Sequence, residues 1–362
     1  LFPIKIFYQY IKMDSILVTG GCGFIGSNFI KYYLDNYHNI SLVNLDKLTY
    51  AGNSSNLKGI KDLNYTFVNG DICDSDLVKS LFKKYNFSTL VNFAAESHVD
   101  RSIDGPADFI NTNVIGTLNL LEQARHFFDS KKNPKKFKFI HISTDEVYGS
   151  LGEKGSFSEE SPFQPNSPYS ASKASSDHLV KSWYKTFGLP TLITNCSNNY
   201  GPYQFPEKLI PLTIINCIED NPLPVYGDGR NIRDWLYVDD HCKAIDLISK
   251  NGVVGETYNI GGLSELTNID VVKKICSMLD IISPKKDGTS YSKLITFVQD
   301  RPGHDRRYSV NIDKIQKKMS WTPEESFDSG IEKTIKWYLN NKSWWKSLKG
   351  KYNQQRLGVI KK

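Results

Sequence analysis

The chain has 362 residues, 40% of them hydrophobic and 23% charged, with a formal net charge of +6. That is long enough for one large or two modest cores, and it excludes a disordered, collagen-like or disulfide-scaffold polypeptide. The positive excess gathers in KKNPKKFK (131–138) and in the C-terminal KSLKGKYNQQRLGVIKK (346–362), neither with aromatics at stacking intervals, so a solvated loop and a tail are expected and nucleic acid is not.

Residues 1–12, LFPIKIFYQYIK, precede Met13, are interrupted by Lys5 and Lys12 and lack a small-residue cleavage site, so they read as an extension outside the fold rather than a signal peptide. From Met13 onward short apolar runs alternate with helical stretches: SILVTG, a helix from about Phe24 to Tyr37, ISLVNLD, YTFVNGDI, a helix through LVKSLFKKY, and TLVNFAA. A long helix through FINTNVIGTLNLLEQARHF, the strand KFKFIHIS, a helix from about Pro168 and the strand TLITNC follow. Continuous Ile/Leu/Val runs separated by helices predict an α/β fold with a doubly wound parallel sheet of the Rossmann kind. Beyond Cys196 Asn, Pro, Gly and Tyr dominate, a strand-helix unit returns at WLYVDDHCKAIDLISK, and helices are expected near 268–280, 311–318 and 328–340. The expected division is a dinucleotide-binding domain over 13–195 with 227–258 returning to it, and a smaller mixed substrate domain over 196–226 and 259–345.

Six widely spaced cysteines without a CxxC pair predict reduced thiols and a cytoplasmic protein. Without HExxH or His pairs at helical spacing no metal site is expected, and no apolar run approaches the ~20 residues that span a bilayer, so no membrane partner is expected.

TGGCGFIGS follows the first strand and opens a helix, with Gly20, Gly23 and Gly26 spaced GxxGxxG. Such glycines permit a tight turn and let backbone amides approach a pyrophosphate at a helix N-terminus. Asp46 ends the next strand 20 residues after Gly26, where an acid accepts hydrogen bonds from ribose hydroxyls and repels a 2′-phosphate, so NAD is the expected cofactor. Ligands of open α/β sheets collect at strand C-termini. Phe24 and Ile25 in the glycine turn, and Lys47, Leu48 and Thr49 beyond Asp46, are therefore cofactor candidates. Asp71 and Ile72, then Phe93, Ala94, Ala95, Glu96 and Ser97, end the following strands, and Thr112 and Asn199 complete the set.

In SPYSASKAS, Tyr169 and Lys173 lie four apart on one helix face. An ammonium near a phenol lowers the phenol's pKa and makes a base for an alcohol proton. Between these two motifs HISTDEVYG sets two acids, Asp145 and Glu146, at the end of an apolar strand. Adjacent acids in a dehydrated pocket repel, so one stays protonated while the other is charged, an acid and a base from two similar residues. For both to face one ligand, the strand must end at Thr144 and the chain must turn there, because successive strand residues point to opposite faces.

Further on, Asn198, Glu207, Lys208 and Leu209 in NNYGPYQFPEKLIP, Arg233 in GDGRNIRDW, and Arg301, His304, Arg306 and Arg307 in DRPGHDRRY supply polar and cationic side chains from separate loops. Guanidinium groups suit the oxygens of a diphosphate.

With these motifs the chain resembles the extended short-chain dehydrogenase/reductase family, and within it the nucleotide-sugar 4,6-dehydratases of dTDP-glucose or UDP-glucose type. The similarity runs from about Asp14 to Leu339 and rests on TGGCGFIGS, LDKLTYAGN, AAESHVDRSI, ISTDEVYG, SPYSASKASSDH, NCSNNYGPYQFPEKLIP, IRDWLYVDDH, TYNIGG and DRPGHDRRY. The related sugar 4-epimerases share the Tyr/Lys pair but carry small neutral residues in place of the two acids. The resemblance implies Glu146 as the base at C5, Asp145 as the acid at O6, Tyr169 as the base at O4 with Lys173 beside it, and Thr144 as a hydroxyl that orients O4. It further implies Arg233 and Arg301 on the diphosphate, Asn268 and His304 near the nucleoside, and Tyr226 against the base beside Pro224. Ser97 and Asn198 would touch sugar or phosphate. A homodimer through helices around 108–127 and 168–187 and a place in rhamnose or other deoxysugar synthesis are implied as well. A short linker between Gly149 and Ser167, and a GDGRN loop without the Lys common in bacterial members, resemble eukaryotic UDP-glucose dehydratases and leave the nucleotide, dTDP or UDP, open.

Overall fold

Ile16, Leu17, Val18, Leu42, Val43, Leu90, Val91, Phe139 and Ile140 are all at most 1% exposed, which only a sheet covered on both faces achieves. Each such side chain contributes about 1.5–3 kcal/mol of burial free energy. The computed structural model describes residues 15–61, 63–131 and 137–351. The expected extension 1–12, most of the run 131–138 and the tail beyond 351 lie outside these residues.

The elements are β1 (Ser15–Thr19), α1 (Phe24–Asn36), β2 (Ser41–Asp46), β3 (Tyr65–Asn69), α2 (Ser75–Lys84), β4 (Phe87–Asn92), α3 (Val99–Asp104) and α4 (Pro106–Phe109). The last runs through a π-helical segment, Ile110–Gly116, into α5 (Thr117–Ser130). Then come β5 (Lys138–Thr144), α6 (Pro168–Phe187), β6 (Thr191–Cys196), β7 (Asn198–Tyr200), α7 (Leu209–Glu219), β8 (Leu223–Tyr226), β9 (Ile232–Tyr237), α8 (Val238–Asn251) and β10 (Thr257–Ile260). The chain closes with β11 (Glu265–Thr267), α9 (Asn268–Ile282), β12 (Ile295–Val298), α10 (Asp313–Met319), α11 (Phe327–Asn340) and α12 (Lys342–Leu348).

Seven parallel strands in the order β10-β6-β5-β4-β1-β2-β3 form the main sheet, beside small sheets β11-β9-β7 and β12-β8. Within the returning segment 227–258, β9 pairs in a small sheet, whereas α8 packs on α1 and β10 extends the main sheet. Val310, Ile312, Ile315 and Trp321, expected in the substrate domain, pack into the core beneath the main sheet. The second core gathers α7, α9 and α11 through Ile214, Ile275 and Ile335.

Helix α6 starts where its sequence says it should: Ser167 and Ser170 form a reciprocal capping box, Pro168 occupies the first turn, and Gly188 closes the helix in the left-handed region at φ 68°. Sequence periodicity missed α7, because Pro211 reads as a breaker; it falls in the first turn, where no intrahelical N–H is needed. It also missed α12, whose residues fell partly in the expected tail.

Candidate active site

At the carboxyl ends of β1, β2 and β4 lies a cleft of about 1250 Å³, part of it open to solvent. Gly20 sits at φ 69°, and a Cβ there would fall 2.6 Å from Ala94 N; a Cβ on Gly26 would fall 2.4 Å from Gly20 O. The turn therefore tolerates no side chain at either position. Helix α1 begins at Gly23 with no side-chain cap, leaving its first amides for an anion. Asp46, 7% exposed, accepts from Cys22 N at 2.8 Å and from Leu48 N at 2.8 Å, one amide per oxygen, which leaves each oxygen a lone pair toward the cleft. A dinucleotide fits these features, its pyrophosphate on the glycine turn and a ribose diol on Asp46.

Gly20, Gly23, Phe24, Ile25, Gly26, Asp46, Lys47 and Thr49 line this cleft, as do Asp71, Ile72, Phe93, Ala94, Ala95, Glu96, Ser97, Thr112, Tyr169 and Lys173. Leu48 does not: its amide is spent on Asp46 and its side chain packs against the core. Lys47 pairs with Asp71 at 2.7 Å at the rim. Asp71 does not cap α2, because Asp74 does so through Leu77 N.

The chain does turn at Thr144. That residue is still extended (φ −141°, ψ 153°), its hydroxyl accepts from Glu146 N, and Asp145–Tyr148 form a single tight helical turn ended by Gly149 at φ 90°. Glu146 borders the neighbouring chamber, whereas Asp145 does not reach its lining. Asp145 is 1% exposed, with Oδ1 3.3 Å from Thr144 Oγ1 and Oδ2 without a hydrogen-bond partner. Burial, then the charges of Glu146 and Asp234, push the Asp145 carboxyl well above the ordinary range, only partly opposed by Arg233. Burial also raises Glu146, but Arg301, Lys208 and Arg233 pull it back toward the charged form. The two acids thus differ in the direction an acid/base pair needs.

Tyr169 and Lys173 share one face of α6, yet the expected lowering of the phenol by the ammonium is not what the structure gives. Lys173 Nζ turns to β5 and donates to Ile142 O at 2.7 Å. Burial, then Glu146, raises the Tyr169 phenol well above its ordinary value. Helical spacing brings two residues to one face, but a long lysine still chooses its own acceptor.

The second chamber, about 1040 Å³, meets the cofactor cleft at Gln204, Glu207 and Lys208. Asn198, Glu207, Lys208, Leu209 and Pro224 border it, together with Tyr226, Arg233, Asn268, Arg301 and His304. Arg301 is ion-paired with Asp100, whose other oxygen accepts from Tyr226 OH at 3.3 Å. Arg233, 5% exposed, donates to the carbonyls of Ile232 at 2.8 Å and Asp305 at 3.0 Å and lies 4.3 Å over the Tyr308 ring. Bonded to carbonyls rather than a carboxylate, it keeps its charge for an anion. His304 Nδ1 lies 2.6 Å from Asp300, and burial lowers its pKa to about 4, so it is neutral near pH 7.

Some candidates fall elsewhere. Ser97 borders the cofactor cleft only, its carbonyl accepting from Lys208 Nζ at 3.0 Å. Thr144 lines neither chamber. Asn199 borders the substrate chamber rather than the cofactor cleft, its Oδ1 2.8 Å from His241 Nδ1. Arg307 is locked on Glu265 by two bonds of 2.7 and 2.9 Å, and exposed Arg306 pairs with Asp228, so neither faces the chamber.

Sequence reasoning missed His98 and Asp100, which border the chamber, although AAESHVDRS contains both. It also missed Asn113, 1% exposed, which accepts from Glu96 N at 2.8 Å and donates to Glu96 O at 3.0 Å and Ser172 Oγ at 2.8 Å. Asn113 thereby ties the loop after β4 to α6, and it sits in the π-helical segment, a frequent device at functional sites. Among the described residues no group of three His, Cys, Asp or Glu side chains is arranged to hold a metal ion.

A Rossmann sheet whose glycine turn and Tyr/Lys helix open on a second, cation-lined chamber defines a short-chain dehydrogenase/reductase of the extended kind. Within that class, residues 17–334 match the model of the GDP-mannose 4,6 dehydratase family, and the chain belongs to this family. It is 54% identical over 356 residues to the dTDP-glucose 4,6-dehydratase of Neisseria meningitidis serogroup B, covering 96% of this chain and 100% of that one. Its structure is similar to that of dTDP-glucose 4,6-dehydratase from Bacillus anthracis in complex with NAD (TM-score 0.82, 48% identity, 92% and 99% coverage). A second similar structure is the Streptomyces venezuelae dTDP-glucose 4,6-dehydratase with NAD and TYD bound (TM-score 0.83, 44% identity, 92% and 99% coverage).

Proposed function

We propose that this chain is an NAD-dependent dTDP-glucose 4,6-dehydratase, a hydro-lyase that forms the 4-keto-6-deoxyglucose nucleotide. One observation carries this reading: at the turn after β5 two adjacent acids are unequally placed, Glu146 bordering the substrate chamber with three cations drawing it toward the charged form and Asp145 behind it, pushed well above the ordinary range by burial and neighbouring acids. A 4-epimerase or 4-reductase needs neither acid, and a silent NAD-binding sensor needs no acid/base pair at all. Relatives more than half identical to this chain favour dTDP over UDP as the nucleotide.

NAD, held by the glycine turn and Asp46, supplies the acceptor for hydrogen from C4 and its return to C6. Tyr169 is assigned as the base for the O4 proton, a role its raised phenol can fill only once the positive charge of bound NAD draws it down, with Thr144 orienting that oxygen and Lys173 beside it. Oxidation at C4 makes the C5 proton acidic, and Glu146 removes it. Asp145, kept protonated, gives its proton to the leaving O6; its unpartnered Oδ2 supports that role. Positioned acid-base groups of this kind each contribute about 10²–10⁴-fold. Arg233 and Arg301 hold the diphosphate, with Asn268, His304, Pro224 and Tyr226 toward the nucleoside.

We assign the main sheet with α1–α6 and α8 to cofactor binding and the second core with the small sheets to the nucleotide-sugar. Exposed Ile110 (45%) and Ile115 (47%), on the helix beside α6, support a homodimer through these helices. No helix of the described residues is long and apolar enough to cross a membrane. Free cysteines throughout the described residues support a cytoplasmic location.

Side-by-side kcat/KM for dTDP-glucose and UDP-glucose with NAD-loaded protein tests the reading. We expect loss of water with dTDP-glucose preferred; no loss of water from either overturns the dehydratase, and a UDP-glucose preference overturns the nucleotide.

A further inference from the structure

Behind Lys173 lies a polar network that the reaction above does not use. His141, 1% exposed, has Nε2 3.4 Å from Lys173 Nζ and 3.5 Å from Asp177 Oδ1. Asp177 is fully buried one helical turn beyond Lys173; its Oδ2 accepts from Ser143 Oγ at 2.9 Å and Asn195 Nδ2 at 3.1 Å, while Oδ1 has no hydrogen-bond partner.

The tautomer of His141 follows from its other side. Thr19 Oγ1 donates to Asn92 Oδ1 at 2.6 Å, so the Asn92 amide presents Nδ2 to His141 Nδ1 at 3.2 Å. Nδ1 must then accept, and the ring proton sits on Nε2, aimed at the lone oxygen of Asp177. Burial and the nearby Lys173 lower the pKa of His141 well below its ordinary value, so the ring is neutral. Lys173 therefore faces a proton on Nε2 rather than a lone pair, and its acceptor is Ile142 O. A buried carboxylate this well donated to, next to a buried ammonium, is a countercharge.

We propose that Asp177, oriented by His141, is a positioning residue that holds Lys173 as an ammonium facing the cofactor cleft. The inference rests on the dehydratase reading for Lys173's place in the reaction. Burial lowers Lys173 to about 8, and Asp177 is the largest influence opposing that. Asp177 itself stands at about 6, so it is charged over the range where Lys173 titrates. The other titratable groups facing Lys173 are neutral there: His141 on β5, Tyr169 on its own helix, and Cys196 on β6, whose thiol burial pushes up to about 12.

The test is the pH profile of kcat/KM for dTDP-glucose with NAD-loaded enzyme. In Asp177→Asn the alkaline limb should move down by about one unit or more, the usual effect of losing an adjacent opposite charge. His141→Leu, which removes the N–H that lies between Asp177 and Lys173, should move it the same way, and His141→Gln, which retains an N–H, should restore it. A limb that stays at the wild-type pH in folded Asp177→Asn or His141→Leu overturns the positioning role. If wild-type protein releases no water from dTDP-glucose, the dehydratase reading fails instead, a result separable from an unmoved limb in an active enzyme.

Discussion

The two chambers that meet at Glu207 and Lys208 recognise ligands by opposite means. In the cofactor cleft the first turn is built from backbone, with glycines where a Cβ would collide and one buried acid wired to amides. The substrate chamber sets charged side chains among apolar ones, with Arg233, Arg301, Lys208, Asp100 and Glu146 brought from five separate segments. A backbone site is specific through shape and fails when something is added. A charged site is specific through electrostatics and fails when something is removed.

Arg301→Ala should break the substrate side most. It removes the cation proposed for the diphosphate and strands buried Asp100, and losing one partner of a buried charge pair costs about 2–5 kcal/mol. KM for dTDP-glucose should therefore rise about 100-fold or more while NAD content is unchanged; a rise under threefold would take Arg301 out of the binding role. Gly20→Ala should do the converse. The positive φ and the collision with Ala94 together cost about 2–4 kcal/mol. The protein should purify without NAD and unfold at lower temperature, and a variant with full NAD content would refute the backbone reading of that cleft.

Asp145→Asn sharpens the contrast between the two acids. Because the folded-state pKa of Asp145 is raised, the stability it contributes is complete below its ordinary value of 3.8 and lost as pH rises through the folded value. Neutral Asn escapes that loss. The variant should raise Tm at pH 8 but hardly at pH 4 in thermal scans, while dehydration falls; equal Tm changes at both pH values would mean that Asp145 ionises freely. The smallest effect belongs to Arg306→Ala: exposed and paired only with Asp228, it should leave KM unchanged and stability within about 0.5 kcal/mol.

The cofactor side was legible in the sequence because its signals are local. GxxGxxG, an acid at the next strand end and Tyr/Lys at helical spacing each lie within one or two elements. The turn at Thr144 in HISTDEVYG was legible too, but not that Glu146 alone of the two acids would border the chamber. What sequence could not give were contacts between distant segments, such as Asn113 clamping the loop at Glu96 or Asp100 pairing with Arg301, 201 residues away. It also overreached where a cation had another partner: Arg307 looked available until Glu265 folded beside it, and Lys173 looked committed to Tyr169 until Ile142 offered a carbonyl.

The central claim, that Glu146 is the base at C5, is tested most directly by giving NAD-loaded Glu146→Gln dTDP-glucose and identifying the sugar by mass. The predicted sugar, formed up to the amount of bound NAD that it reduces, is the 4-keto-hexose, lighter than dTDP-glucose by two hydrogens and with oxygen at C6 retained, whereas the wild-type product is lighter than dTDP-glucose by one water. Loss of water by Glu146→Gln at the wild-type rate would contradict it.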